Sequence, residues 1–536
     1  MKYLLIVILL LILWVYHPWF NFSKTLSSGD WPYLFKDNIQ EFQLFPQSSF
    51  LWLEPYYNFT SKIGVQLFPF SWEVAEKIFW FGPFIVISLI SSWIFIYSLL
   101  LHVKEFSFRR LFTAIGSLIY VSNTYILMIV GGGQMGVGMA YAFSPLILYL
   151  AFNLMSKRSS LKIGNVLLLG VIGGIQLMFD PRFFILTFFS VFISIILVNF
   201  IIKLNFFKIF YAIIFAIFIS LVINLFWIIP NAFSYKDFYN DAVTAITIHT
   251  LSFAQFSNSI SLLHPNWPEN IFGKIGFMKP EFIFIAILAY SPLFLLGKIA
   301  NPKEKAIIVP FSFLAITGAF FAKGINPPLG EIYIFLSSIP GFLIFRDPTK
   351  WYLFIAISYS VLIPYLFSKL FKKVSIISSF AIIMFLIFWV FIIRQSFFGK
   401  LNGTFNPQVL PVEYLMFESF INNQPDNFST LWIPTRQRFG YSSIGHPAIS
   451  AEELFNISTQ SALIREFSLP DTENIIKQFE VKYVVIPYDS RKEIFLNNNT
   501  YDENKRLEIE KSLDSIVWLK KIKLTNKLII YKVAFD

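Results

Sequence analysis

The chain has 536 residues, of which 56% are hydrophobic and 14% are charged, and its net charge is +11 at pH 7. Soluble domains contain about 25% charged residues, so this composition excludes an ordinary soluble protein. Cysteine is absent, which excludes disulfide bonds and thiolate metal sites. Residues 400–536 hold 16 basic and 17 acidic residues, so the positive excess lies in the preceding apolar part. This distribution favours anchoring charges at a lipid bilayer over nucleic-acid binding.

Long apolar stretches divide the first 395 residues and predict a polytopic α-helical membrane protein of about 11 spans. The first stretch follows Lys2 and lacks a small-residue cleavage site, so we expect it to remain as a span rather than to be removed as a signal peptide. The predicted spans cover residues 3–19, 78–101, 111–130, 140–155, 164–179, 183–201, 209–229, 281–299, 306–322, 351–370 and 376–395.

Basic residues concentrate in every second gap between the spans, and each of these gaps is short. The positive-inside rule predicts that they are cytoplasmic, which places the N-terminus inside and the C-terminal domain outside. The longer segments 20–77, 231–280, 323–350 and the tail from residue 396 are then extracytoplasmic. The N-x-S/T triplets agree with this orientation, because all of them fall on the outer side: Asn21, Asn58, Asn402, Asn427, Asn456 and Asn498.

The tail is polar and predicts a small α/β domain over residues 396–536, after a transmembrane domain over residues 1–395. It contains no catalytic motif, and His446 and Asp489 are interpreted as surface or capping residues. Apolar periodicity predicts helices at 412–423, 451–466, 471–479 and 503–514, and β-rich runs at 429–434, 481–487, 516–522 and 527–533. The last two runs flank a predicted hairpin turn at residues 524–526.

The predicted spans contain almost no ionisable residues in their interiors. Ion-coupled transporters place such residues within the bilayer, so the pattern disfavours a proton relay. No phosphate-binding G-x-x-x-x-G-K-[ST] motif is present, which disfavours ATP coupling within this chain. The glycine-rich segment 131–138 predicts either a tight outer turn between two spans or a backbone surface that a ligand approaches closely.

The first outer loop, residues 20–77, is longer than a simple connection and rich in aromatic residues. It places Asp30 about ten residues after the first span, close to the membrane surface. One interpretation makes Asp30 a general base, or a ligand for a divalent cation, that serves a lipid-borne substrate, with Glu54 as an alternative. The other makes Asp30 the N-cap of a surface helix that begins at Trp31.

Two Asp-Pro motifs begin predicted spans, Phe-Asp-Pro-Arg at 179–182 and Phe-Arg-Asp-Pro-Thr-Lys at 345–350. Asp180 and Asp347 fit N-caps followed by proline at the first helical position. Capping does not explain the cations Arg182, Arg346 and Lys350, which oppose the charge trend of the other outer loops. Near helix N-termini, these cations predict a phosphate site, with snorkelling to lipid headgroups as the alternative.

The outer loop at residues 231–280 contains His264, followed by Pro-Asn-Trp-Pro. Histidine and aromatic side chains at this depth predict either contact with sugar rings or anchoring at the membrane interface. Asp180, His264 and Asp347 are therefore candidate substrate-binding residues.

These features together resemble the GT-C superfamily of membrane glycosyltransferases, in particular its α-(1→3)-arabinofuranosyltransferase-like branch. The resemblance extends over residues 1–395 as an architecture. The segments that carry it are Gly-Asp at 29–30, the glycine-rich turn 131–138 followed by Tyr-Ala-Phe-Ser-Pro at 141–145, Asn-Pro-Pro at 326–328, Pro-Gly-Phe at 340–342 and Phe-Arg-Asp-Pro at 345–348. The oligosaccharyltransferase signature Trp-Trp-Asp-Tyr-Gly is absent from the sequence.

The resemblance implies transfer of a sugar from a polyprenyl-phosphate-linked donor to a surface glycan or glycolipid acceptor, with Asp30 as the acidic catalytic residue. The family often has two adjacent acidic residues, whereas Trp31 follows Asp30 here, so the use of a divalent cation is left open. Two other classes of function also remain open. One is a flippase or exporter of a lipid-linked glycan, and the other is a non-catalytic scaffold for surface-glycan assembly.

Overall fold

The structure is a computed structural model. It describes residues 2–27, 29–31, 33, 35, 70–103, 108–155, 162–233, 248–264, 280–371, 375–399, 407–457, 459–488 and 503–534. The chain divides into two compact units. Of the described residues, the first unit contains 2–20 and 77–399, and the second contains those among 21–35 together with 70–76 and 407–534.

The first unit is helical, as its long apolar stretches predict. Its α-helices are Lys2–Val15, Gly82–Leu100, Arg109–Ser122, Thr124–Gly131, Met135–Met155, Ile163–Phe179, Pro181–Ile202, Phe206–Ile223, Leu225–Phe233, Phe256–Ile260, Ile283–Tyr290, Pro302–Ala322, Gly330–Ser337, Tyr352–Leu370, Ile376–Ile392 and Arg394–Phe397. A π-helix covers Lys77–Phe81, and 3₁₀-helices cover His17–Phe20, Pro280–Phe282, Ser291–Lys298, Phe342–Phe345 and Pro348–Trp351.

Among the described residues, 7 helical segments are long and apolar enough to cross a membrane. The number is 8 if the pair Arg109–Ser122 and Thr124–Gly131, bent by 41°, forms one span. The 7 segments are Trp72–Leu100, Met135–Met155, Pro181–Ile202, Phe206–Ile223, Pro280–Lys298, Pro302–Ala322 and Pro348–Leu370, and shorter apolar helices cover Tyr3–Val15, Ile163–Phe179 and Ile376–Ile392. A multi-pass helical membrane architecture is thus confirmed, whereas 11 spans and their orientation stay predictions.

Small residues allow two of these helices to pack closely. Gly170 and Gly174 of the helix Ile163–Phe179 face the helix Phe206–Ile223, and a Cβ built at Gly170 would lie 2.9 Å from the carbonyl oxygen of Ala216. Ser220 Oγ donates to the Gly170 carbonyl at 2.8 Å, and Asn224 Nδ2 donates to the Gly174 carbonyl at 2.9 Å. Helices in a membrane usually associate through close glycine contacts and interhelical hydrogen bonds, because the surrounding lipid removes the hydrophobic driving force for association.

Gln176, four residues before Asp180, connects three helices through its side-chain amide. Its Nε2 lies 2.9 Å from each of three oxygens, the carbonyl of Ala140 and the hydroxyls of Ser144 and Thr187. These partners belong to two different helices, so one buried amide ties both to the helix Ile163–Phe179. The backbone carbonyl of Gln176 also accepts the backbone N–H of Asp180 at 3.0 Å.

The second unit contains a five-stranded sheet with helices on both faces. Its strands are β1 (Ser429–Trp432), β2 (Ala448–Ser450), β3 (Val481–Ile486), β4 (Leu519–Ile522) and β5 (Ile529–Val533), in the order β2-β1-β3-β5-β4. Strands β2, β1 and β3 are parallel, and β5 is antiparallel to both β3 and β4. The helices of this unit are Trp72–Glu76, Val412–Asn422, Ala451–Leu454, Gln460–Glu466, Pro470–Gln478 and Glu503–Asp514.

Alternation along the strands divides the apolar side chains between two cores. Leu431, Val484 and Tyr531 join one core, and Trp432, Val485 and Ile530 join the other. A sheet covered on both faces requires nearly continuous apolar strands, which is why β-rich runs were visible in the sequence.

The predicted helix 451–466 is wrong as a single element, because the structure breaks it after Leu454. Asn456 adopts a left-handed conformation with φ 53°, which ends the first helix. The other three predicted helices and the hairpin between β4 and β5 are confirmed. The three-residue strand β2 was not predicted.

Candidate functional site

The first Asp-Pro motif caps a helix and holds its own cation. Asp180 Oδ1 accepts the backbone N–H of Arg182 at 2.8 Å and that of Phe183 at 3.4 Å, which confirms the predicted N-cap. The Arg182 guanidinium folds back, with Nη2 2.6 Å from Asp180 Oδ2. Asp180 is buried, whereas 21% of the Arg182 side chain is exposed. The pair is therefore a partly accessible ion pair at the N-terminus of a 22-residue helix.

The second motif repeats this arrangement with a lysine. Asp347 Oδ1 accepts the backbone N–H of Thr349 at 3.0 Å, which confirms the second predicted cap. Lys350 Nζ lies 2.8 Å from Asp347 Oδ2, and only 1% of the lysine side chain is exposed. Burial opposes ionisation of Asp347, but Lys350, the hydroxyl of Thr349 and the charge of Arg182 hold its pKa below its usual range. Asp347 is therefore ionised at neutral pH.

The two motifs, which begin 166 residues apart, lie close enough to act on each other. The charge of Arg182 stabilises ionised Asp347. Tyr125 lies within the electrostatic range of both motifs, since it interacts with Asp180, Arg182 and Asp347. We name Asp180, Arg182, Asp347 and Lys350 the paired-charge cluster. It gathers the two Asp-Pro helix starts at one place in the first unit.

The glycine-rich turn contributes a side chain to this cluster. The helix Thr124–Gly131 ends at the turn, and the helix Met135–Met155 begins directly after it. Gln134, between them, places its Oε1 3.1 Å from Lys350 Nζ. The segment is thus a tight turn, as one of its two interpretations predicts, and its approach to a ligand stays a prediction.

An aromatic stack lies beside the cluster. The rings of Tyr125, His264 and Tyr352 have centroids 5.1–5.4 Å apart. His264 is buried, and burial lowers its pKa to about 3, with Asp347 opposing this shift and Lys350 adding to it. The imidazole is therefore neutral at physiological pH. Its predicted contact with a sugar ring is untested, and the structure gives it a second role in packing.

Arg346 differs from the other two predicted phosphate-binding cations. Its side chain is exposed and makes no hydrogen bond or ion pair to the residues that the structure describes. Arg182 uses Nε and Nη2 for Asp180, which leaves Nη1 without a hydrogen bond to the described residues. Lys350 donates to two oxygens and has a third N–H. Each of the three cations thus retains hydrogen-bonding capacity for an anion.

Asp30 lies in the second unit, in a turn that other residues of that unit hold in place. Gly29 has φ 58°, a left-handed conformation that suits glycine, and Asp30 is exposed. Arg438 donates through Nη2 to the Gly29 carbonyl at 2.7 Å and through Nη1 to the Trp31 carbonyl at 2.5 Å. The described residues Trp31, Tyr33 and Phe35 are not helical, so the alternative role of Asp30 as a helix N-cap is not supported. Glu54 lies outside the described residues.

Glu76 is a buried carboxylate that sequence reasoning missed. It accepts the backbone N–H of Leu26 at 2.8 Å and the indole N–H of Trp31 at 3.0 Å, so it fixes the segment that carries Asp30. Glu76 lies just before the predicted span 78–101, and no local motif distinguishes it. Arg438 was missed because nothing local distinguishes it from other surface arginines. Within the described ranges, no group of three or more His, Asp or Glu side chains could hold a metal ion.

The fold has counterparts among solved structures. The mycobacterial arabinofuranosyltransferase AftD matches 100% of this chain at TM-score 0.55 and 10% identity, and this chain spans 40% of its length. The Archaeoglobus fulgidus oligosaccharyltransferase in its apo form matches 90% of this chain at TM-score 0.51 and 10% identity, over 69% of its own length. The same enzyme tethered to an acceptor peptide matches 90% of this chain at TM-score 0.50 and 11% identity, over 68% of its length.

The chain has the GT-C fold. No protein-family model and no curated protein matches it. The predicted fold class is therefore confirmed at the level of a GT-C-like helical unit and a small C-terminal sheet. The arabinofuranosyltransferase-like branch stays a prediction, because a likeness at 10% identity extends to the fold alone.

Proposed function

We propose that the protein is an integral membrane glycosyltransferase that moves a sugar from a polyprenyl-phosphate donor to a glycan or glycolipid acceptor on the outer face of the cell membrane. The observation that carries the proposal is the paired-charge cluster within a GT-C fold. A lipid-linked phosphate is an anion that must be bound where helices end at the membrane surface. Cations beside helix N-termini suit that ligand.

In this proposal the donor phosphate binds the free N–H groups of Arg182, Lys350 and Arg346. The two carboxylates of the paired-charge cluster already neutralise Arg182 and Lys350, so Arg346 supplies the net positive charge. Asp180 and Asp347 position the two paired cations by capping the helices that carry them. As the bond between the anomeric carbon and the phosphate oxygen breaks, charge grows on the phosphate, and preorganised cations stabilise it.

Asp30 is the proposed general base. Its exposed carboxylate accepts the proton of the acceptor hydroxyl, whose oxygen attacks the anomeric carbon while polyprenyl phosphate leaves with the bonding electrons. Arg438 and Glu76 keep the turn around Asp30 in one conformation, which is the positioning that such a base requires. Glu54 is the alternative base.

The test is a mass-spectrometric comparison of surface glycans and polyprenyl-phosphate sugars in cells that carry wild type or Asp30→Asn at matched protein levels. We expect one sugar residue to disappear from a glycan and its lipid-linked donor to accumulate, with turnover reduced at least about 100-fold. Asp471→Asn, an exposed aspartate elsewhere in the same unit, is the control and should leave both profiles unchanged. Identical profiles for Asp30→Asn and wild type would favour a flippase or a scaffold.

A further inference from the structure

The second unit contains an open cleft that the proposed reaction does not use. Its volume is about 670 Å³, and it lies where β3 begins and β5 ends. Four of its eight lining residues are lysines: Lys477, Lys482, Lys520 and Lys532. We name this feature the lysine cleft. A cavity of this size falls within the range of sites for small ligands, about 300–1,000 Å³.

Two of the lysines form a like-charge pair that the sheet imposes. Lys520 of β4 and Lys532 of β5 are direct cross-strand partners, so their side chains leave the same face of the sheet. Both are exposed, and neither side chain has a hydrogen bond or ion pair with any residue that the structure describes. Like charges directly opposite each other destabilise a sheet. An anion bound between the two ammonium groups would remove this repulsion.

The other two lysines are paired with carboxylates, so they add little net charge to the cleft. Lys477 pairs with Glu473 at 2.7 Å, and Lys482 lies 3.3 Å from Asp426, of which 72% is exposed. The Lys482 ammonium also lies over the ring of Phe428, 4.6 Å from its centroid. With Glu480 in the lining, three carboxylates oppose the four ammonium groups, and the lysines without an ion pair to the described residues are Lys520 and Lys532.

We infer that the lysine cleft binds an anionic oligosaccharide, a glycan that carries carboxylate or phosphate groups. Lysine ammonium groups bind such anions as point charges. The methylene stems of the lysines, together with the partly exposed Ala534, give the cleft apolar surface on which the C–H faces of sugar rings can pack. The concave shape favours a chain inserted lengthwise over a flat lipid surface, for which protruding lysines would suffice. If the proposed function holds, this glycan is the acceptor; the binding itself requires no turnover.

The experiment measures binding of a fluorescent oligogalacturonide to the full-length protein in nanodiscs of neutral lipid, at two salt concentrations. We expect binding that weakens with added salt, since exposed charge contacts are screened. We expect no binding of a neutral dextran oligomer of equal length. Each exposed ion pair contributes up to about fivefold to affinity, so Lys520→Ala/Lys532→Ala should weaken binding by up to about 25-fold.

Two further variants make the result specific. Lys520→Arg/Lys532→Arg keeps both charges and should bind within about twofold of wild type. Lys511→Ala/Lys523→Ala removes two exposed lysines of the same unit outside the cleft, and should also leave the affinity unchanged. Unaltered affinity in Lys520→Ala/Lys532→Ala, or equal affinity for dextran, overturns the inference. So does binding to vesicles of anionic lipid without binding to the oligogalacturonide. Intact glycan binding in an inactive protein would instead count against the proposed reaction alone.

Discussion

Lys350 is the more deeply buried cation of the paired-charge cluster. Its replacement distinguishes its contribution to stability from its contribution to donor binding. Lys350→Met leaves the partly exposed Asp347 carboxylate without its nearest cation, which should destabilise the first unit by about 1–3 kcal/mol. Replacing both partners, in Lys350→Met/Asp347→Leu, removes the unpaired charge and should recover most of that stability. Neither variant should transfer sugar, because the donor phosphate has lost a ligand.

The measurements are the apparent melting temperature in detergent and the accumulation of the lipid-linked donor in cells. Conservative exchange in Lys350→Arg is the matched control for charge, and it should retain part of the transfer. Full transfer by a stable Lys350→Met/Asp347→Leu protein would remove Lys350 from donor binding.

His264 should make the stability of the protein sensitive to mild acid. In the unfolded chain a histidine takes up a proton near pH 6.5, whereas burial lowers the pKa of His264 to about 3 in the folded protein. The folded state is therefore fully stabilised above pH 6.5 and loses up to about 1.4 kcal/mol per pH unit as the pH falls from 6.5 toward 3. A fall of apparent melting temperature between pH 7.5 and 5.0 measures this effect.

His264→Phe keeps a ring in the stack and cannot be protonated, so its melting temperature should change less over that range. His249→Phe replaces an exposed histidine and should behave as wild type. Equal pH sensitivity in wild type and His264→Phe would contradict a buried neutral imidazole.

Local residues of the site were predictable, and distant partners were not. The caps at Asp180 and Asp347 depend on backbone groups two residues away, which a sequence displays directly. The contact of Gln134 with Lys350 joins residues 216 positions apart, and no local sequence pattern predicts it. Arg438 and Gly29 are likewise 409 residues apart. The chemistry of the site was thus visible residue by residue, but its assembly depends on the tertiary fold.

At the scale of elements, the pair of helices Ile163–Phe179 and Phe206–Ile223 depends on glycine at one position. A Cβ at Gly170 would lie 2.7 Å from Ile219 Cβ and 2.9 Å from the Ala216 carbonyl oxygen, neither of which can move freely. Gly170→Ala should therefore separate the helices and destabilise the protein by about 1–3 kcal/mol. Since the first Asp-Pro motif follows this helix, transfer activity should fall as well.

Gly164 of the same helix supplies the control. A Cβ there has nothing within 4 Å, so Gly164→Ala should be neutral or slightly stabilising through the higher helix propensity of alanine. Thermal unfolding of both variants in one detergent measures the difference. Equal melting temperatures for Gly164→Ala and Gly170→Ala would show that the two helices can separate at no cost.

The elements that were predicted correctly are those composed mainly of apolar residues. Apolar runs predicted β3 and β5 because both faces of those strands are buried. The break between Leu454 and Gln460 was missed because residues 451–466 keep a helical apolar period on both sides of it. The left-handed backbone conformation of Asn456 marks that break, and asparagine tolerates this geometry without requiring it.

At the scale of the whole molecule, the proposed function depends on which side of the membrane the paired-charge cluster faces. The distribution of lysine and arginine predicts that loop 298–305 is cytoplasmic and that loop 323–350, which carries Arg346 and Lys350, is extracytoplasmic. The opposite orientation would place the proposed donor site inside the cell, where an outer-face acceptor could not reach it.

Because the chain contains no cysteine, single cysteines report this orientation without background. Ser338→Cys and Lys298→Cys replace exposed residues in the two loops. A membrane-impermeant maleimide should label Ser338→Cys in intact cells and should label Lys298→Cys only after permeabilisation. The unsubstituted protein should remain unlabelled in both conditions. Labelling of Lys298→Cys in intact cells, with Ser338→Cys protected, would invert the topology and remove the outer-face reaction, whatever the outcome of the Asp30 experiment.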